Sequence, residues 1–134
     1  MTDFASAIQT KIYEVLNAGL AYPVYDDVPF LPEGMPTNNF PYVVIGDDTL
    51  IPFDNDSQIG VDATLTIHVW SKYRGRKETK DIQGEIYTLL NRASLTITGY
   101  NVVDILFEFS ETFVENDGTT RHGVQRFRIT VQET

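Results

Sequence analysis

The chain has 134 residues, a 42% hydrophobic fraction with 12% aromatic, and no cysteine. That length suits one domain with a real core, and the composition excludes a disordered chain, a disulfide scaffold and a thiolate metal site. Ten Lys and Arg against nineteen Asp and Glu leave a net charge of −9. A DNA-coating protein is therefore disfavoured, because phosphate binding rests on cationic side chains. An acidic wall that DNA slides past is compatible with the same charge. The opening MTDFASAIQTKIYEVL carries Asp3 and interrupted apolar residues. It lacks the basic region and apolar run of a signal peptide. No stretch approaches the roughly 18 to 20 apolar residues of a bilayer span, so no membrane is expected and the cytoplasm is the expected compartment.

Phe4, Ile8, Ile12, Val15 and Leu16 recur at spacings of three and four, the period of one buried helical face. Thr2 or Asp3 can cap this helix and Gly19 ends it. A short strand is expected at Val24-Tyr25-Asp26, followed by a loop over 29–39, where Pro29, Pro32, Gly34 and Pro36 forbid regular structure. Tyr42-Val43-Val44-Ile45 is continuously apolar, which suits a strand covered on both faces or one that meets another subunit. From Gly46 to Gly60 the chain reads as an irregular acidic loop around Leu50-Ile51-Pro52-Phe53.

Val61, Ala63, Leu65, Ile67 and Val69 then alternate with Asp62, Thr64, Thr66, His68 and Trp70, giving a strand with one core face. After a basic stretch, Ile82, Ile86, Leu89, Leu90 and Ala93 form the stripe of a second helix, which Gly84 weakens by up to about 1 kcal/mol unless close packing demands a bare backbone. Leu95-Thr96-Ile97-Thr98 reads as a short strand. Val103, Ile105, Phe107 and Phe109 alternate with Asp104, Leu106, Glu108 and Ser110, and Gln125, Phe127, Ile129 and Val131 with their own polar partners. Glu115-Asn116-Asp117-Gly118 joins the last two strands as a hairpin, since these residues tolerate positive φ. The expected architecture is a single α+β domain of order αβββαβββ over 1–134. Its sheet is mainly antiparallel or mixed, with both helices on one face.

Catalytic constellations are scarce. His68 and His122 accompany no nucleophile motif, and the glycines form neither a Walker A nor a dinucleotide fingerprint. Asp54, Asp56 and Asp62 invite a calcium reading. The EF-hand pattern fails, because its glycine and closing Glu positions, counted from Asp54, hold Ile59 and Leu65. The expectation is no catalytic residue, no cofactor and no metal; the alternative kept from another class is a metal-dependent enzyme using the acidic loop. Lys72, Arg74, Arg76, Lys77 and Lys80 concentrate half of the ten basic residues between 72 and 80. They are either a solvated helix start or a surface complementary to an acidic loop on a neighbouring copy. Leu50-Ile51-Pro52-Phe53 and the arm with Val28, Phe30 and Leu31 either fold over their own core or anchor an interface.

Phe40-Pro41-Tyr42-Val43-Val44-Ile45-Gly46, Ile67-His68-Val69-Trp70-Ser71 and Thr120-Arg121-His122-Gly123-Val124-Gln125-Arg126-Phe127-Arg128, in this order, resemble the bacteriophage tail completion family. The first helix and the Arg-Gly-Arg entry to the second match its layout, so the resemblance runs from about residue 4 to 132. It implies a mixed or antiparallel sheet with two flanking helices. It also implies a structural virion protein without catalytic residues, a tail terminator or tail-to-head joining protein. Such proteins form a ring, typically a homohexamer, at the head-proximal end of a long tail. The implied partners are further copies of the chain, the major tail tube protein and a head–tail connector or head completion protein, with DNA passing through unbound. Localisation would be the virion, after assembly in host cytoplasm. The close alternative is another connector-region protein, a head completion adaptor or a minor tail protein. By inference, ring and tube contacts fall on Leu50, Ile51, Phe53, Asp54 and Asp56, on Arg74, Arg76 and Lys77, and on Asn116, Asp117 and Arg121.

Overall fold

The computed structural model describes residues 3–26 and 40–134. The predicted loop over 29–39, and with it Val28, Phe30 and Leu31, lies outside the described residues. Helix α1 spans Phe4–Gly19, with strand β1 at Val24–Tyr25, β2 at Tyr42–Pro52 and β3 at Gly60–Ser71. Helix α2 follows at Lys77–Leu90, then β4 at Tyr100–Val114 and β5 at Arg121–Glu133. The strands form one sheet in the order β1-β2-β3-β5-β4, with β1 parallel to β2 and every other pair antiparallel. The architecture is the expected α+β mixed sheet with two helices on one face.

The helices form where the stripes are. Asp3 caps α1 by accepting a hydrogen bond from Ser6 N at 2.9 Å, which satisfies one of the donors a helix start leaves open. Its buried face is Phe4, Ile8, Ile12 and Leu16; that of α2 includes Ile82, Ile86 and Leu90. Both stripes meet the same side of the sheet, formed by Val43 and Ile45, Ala63 through Val69 at alternate positions, Ile105, and Phe127, Ile129 and Val131. Ile12, Leu16, Ile67, Ile86 and Phe127 lose all contact with solvent. Each such side chain is worth roughly 1.5–3 kcal/mol of burial.

Three local expectations change. The strand expected at Tyr42–Ile45 continues to Pro52, through Asp47 and Asp48, after an irregularity between Ile45 and Asp48. A strand near the sheet edge with one wet face accommodates these carboxylates, which in sequence look like a loop. Tyr42 through Ile45 are all buried, with Tyr25, Phe40 and Trp70 rings around Tyr42, so this run is covered on both faces within the chain. Leu95–Thr98 is no strand: it contributes a single bridge, Ile97 to Tyr100.

The third change concerns β4. Irregularities between Val102 and Asp104 and between Phe107 and Phe109 shift its phase twice. A bulge sets two residues against one and turns the next side chain to the other face. Ile105 and Phe107 therefore face the core, whereas Val103 and Phe109 are 49% and 39% exposed. Helix α2 stops at Leu90, short of Ala93, because Asn91 and Arg92 stitch onto β4 instead. Phe107 N donates to Asn91 Oδ1 at 2.9 Å, and Arg92 N to Ile105 O at 2.8 Å, with Arg92 at φ 58.

Candidate assembly surfaces

The β2–β3 hairpin ends in a tied tip. Phe53 N donates to Gly60 O at 2.8 Å, and Asp54 Oδ1 accepts from Gly60 N at 3.0 Å. Asn55 Oδ1 accepts from the main-chain nitrogens of Ser57 and Gln58, forming a local turn. On this frame Ile51, Phe53 and Ile59 are 59%, 47% and 53% exposed, while Leu50 packs back against the core. Asp56 is exposed and has no partner among the described residues. The tip presents three apolar side chains beside acids, with no cation between 46 and 60. Among the described residues no three His, Asp or Glu side chains converge on a point that could hold a metal ion.

The predicted basic stretch lies at the other end of β3. Arg74 and Arg76 are exposed without a partner among the described residues, Lys77 Nζ sits 2.8 Å from Asp81 Oδ2, and Lys72 Nζ lies 5.2 Å above the Phe40 ring. The β4–β5 turn stands beside it. Asp117 holds that turn: its carboxylate accepts from Thr119 N, Thr120 N and the Thr120 hydroxyl at 2.9, 2.8 and 2.6 Å. Those bonds hold its pKa well below the usual carboxylate range. Arg121 Nη1 likewise folds back to Thr119 O at 2.6 Å; Asn116 and Asp117 are both exposed, and the Asn116 side chain has no partner among the described residues.

An arrangement not anticipated from sequence joins the two histidines. Glu115 Oε1 lies 2.7 Å from His122 Nδ1, and His122 Nε2 lies 2.8 Å from His68 Nδ1. The carboxylate accepts, so His122 Nδ1 donates, and its bare Nε2 accepts from the N–H of His68. Trp70 stacks on His122 at 3.7 Å between ring centroids, and Phe113 packs against the same ring. Burial lowers the pKa of both imidazoles. For His68 the neighbouring His122 adds to the fall and Asp47 opposes it; for His122 the bond to Glu115 opposes it. Alternation alone puts His68 and Trp70 on one face, but the strand that brings His122 there is 54 residues away.

Further along this open face, Arg128 bonds both Asp62 and Glu108, and Arg126 bonds Glu108, at 3.0 to 3.2 Å. These arginines are neutralised in place rather than left for phosphate. The arrangement as a whole offers surfaces with unmatched apolar and charged groups, together with a tied-down imidazole pair.

Comparisons with known proteins point to one family. Residues 14–132 match the model of the family described as tail completion protein gp17. The tail completion protein gp17 of Bacillus phage SPP1 is 33% identical over 92 residues, which are 69% of this chain and 68% of that protein. Among solved structures, a chain from the virion of a native gene transfer agent particle superposes with a TM-score of 0.84 at 21% identity, covering 97% of this chain and 99% of that one. At that identity the shared feature is the fold. The bacteriophage SPP1 gp17 protein superposes with a TM-score of 0.58 at 25% identity, over 93% of this chain and 88% of that one.

Proposed function

Because the chain belongs to the tail completion protein gp17 family, and so is a structural protein of a phage tail, we propose that it works as one domain that forms a ring at the head-proximal end of a long tail. The ring ends polymerisation of the tail tube and presents the surface to which the head docks. Its partners are other copies of itself in a hexamer, the major tail tube protein and a head–tail connector or head completion protein. Assembly takes place in the host cytoplasm and the product resides in the virion. The chain acts by contact and performs no catalysis.

The observation that carries this reading is the separation of the two unmatched surfaces. The acidic, apolar tip at 51–59 and the exposed cations at Arg74 and Arg76, without partners among the described residues, lie beyond opposite ends of β3, a strand of 12 residues. At about 3.3 Å per residue that is roughly 40 Å, so the patches cannot meet within one copy. Two different patches that meet head to tail make a heterologous contact, which closes into a ring when the rotation allows. The net charge of −9 supports a channel that DNA traverses without adhering. Deleting the gene and imaging tails tests the proposal. Overlong, headless tubes are the expected result; normal-length tails that fail to join heads would assign joining alone, and normal virions would refute both roles.

A further inference from the structure

Between α2 and β4 runs a groove of about 400 Å³, within the range of roughly 300 to 1,000 Å³ typical of sites that accept a guest. Gln125, 2% exposed, forms part of its floor. Its Nε2 donates to Gln83 O at 3.1 Å, but its Oε1 is buried with no partner among the described residues. On one wall Tyr87, 43% exposed, meets Phe107 edge to face at 5.3 Å. Gly84 opens the same wall: no described residue lies within 4 Å of where its Cβ would stand, so packing among the described residues gives no reason for a bare backbone mid-helix. Lys80 stands at the mouth, continuing the basic start of α2, with Glu111 as the anion on the opposite bank.

We propose that this groove receives the β2–β3 hairpin tip of a second copy, Phe53 and Ile59 entering against Tyr87 and Phe107. This rests on the ring reading above and identifies its contact. The tip is the complement in apolar surface and in charge. Its apolar side chains are exposed on a tied frame, matching the exposed Tyr87 ring, and its acids Asp54 and Asp56 are the counter-charge to Lys80 and the cations before it. Apolar anchors ringed by opposite charge are the usual make-up of an interface centre. The contact cannot be internal. Gln125 pairs with Ile67, which lies seven residue steps along β3 from Gly60 at the base of the tip, roughly 23 Å.

The chain has no cysteine, so introduced thiols report the contact directly. Ser57→Cys on the tip and Ser110→Cys on the groove's bank each exchange one atom of an exposed side chain, keep the anchors Phe53, Ile59, Tyr87 and Phe107, and leave the free protein folded. Tails assembled with the double variant and treated with a short bis-maleimide should give a ladder of covalent oligomers on a denaturing gel. Tails with an equal mixture of the single variants should give dimers, and either single variant alone should give monomer. If tails bear a ring of this protein and the double variant stays monomeric, the groove assignment is wrong and the ring reading survives. If tails bear no ring of this protein, both are overturned. As a second measurement, Lys80→Glu should reduce ladder formation several-fold, and pairing it with Asp56→Lys should restore it. No loss with Lys80→Glu would remove the charge argument.

Discussion

His68 Nδ1 lies 2.8 Å from His122 Nε2, a diagonal contact across β3 and β5 whose far end is anchored by Glu115. The pair sits under Trp70 and Phe113, where burial disfavours the imidazolium forms. Both groups thus hold fewer protons in the folded state than in the unfolded one. Stability is at its full value above the unfolded histidine pKa near 6.5 and is lost as pH falls below it towards the lowered folded values. Other titrating groups facing the pair are Asp47 and Glu111, and these act in the opposite sense, favouring protonation.

Thermal melts between pH 7.5 and 5.5 should therefore show the melting temperature falling as pH drops through 6.5 and below. In the double variant His68→Asn/His122→Gln that slope should flatten. An unchanged slope in the double variant would show that the acid sensitivity lies elsewhere.

Gly46 is held to a bare backbone by His68 of that pair. A Cβ there would stand 2.7 Å from the His68 ring and 3.2 Å from Thr66 O. Gly46→Ala should cost about 1–3 kcal/mol, the range for forcing a packed site apart. The urea midpoint measures it, and His68→Ala in the same chain should recover part of the loss because the ring is the nearer obstacle.

The tip of the β2–β3 hairpin should be dispensable for folding. Phe53 and Ile59 are 47% and 53% exposed, and the turn is closed by main-chain and Asn55 bonds that neither side chain supplies. Phe53→Ser with Ile59→Ser should shift stability by no more than about 0.5 kcal/mol each, yet abolish tail termination in complementation. A variant that folds and terminates normally would show that these side chains serve neither purpose.

The basic start of α2 gives the reciprocal case. Arg74, Arg76 and Lys77 lie off the buried stripe of Ile82, Ile86 and Leu90, so reversing all three to Glu should leave circular dichroism unchanged. Infectious particles should fall steeply, since like charge would then face the acidic tip. Undiminished titres from the folded variant would refute an interface role for the segment.

How far such surfaces could be read without coordinates depended on how local their causes are. The stripe of Phe4, Ile8, Ile12 and Leu16, the alternation in β3 and β5, and the turn at Asn116-Asp117-Gly118 follow from the chain's own periodicity, because 3.6 and 2.0 residues per repeat decide which side chains share a face. The tail completion resemblance rode on those same segments, and the hairpin tip and basic stretch were visible as breaks in the pattern.

What periodicity does not carry is the pairing of one strand with another. Val103 and Phe109 alternate with Ile105 and Phe107 in sequence, yet bulges against β5 turn them outwards. Asp47 and Asp48 look like loop residues until β3 pairs with the strand that contains them. Asp117, expected at a contact, also holds its own turn through Thr119 and Thr120 while staying exposed. The unfilled Oε1 of Gln125 and the bond between His68 and His122 exist only once distant segments are brought into register. Local sequence therefore determined the helices, the regular strands and the faces these bury where no bulge intervenes. Only the tertiary structure decided which groups remained unmatched, because hydrogen-bond partners are assigned between strands and not along them.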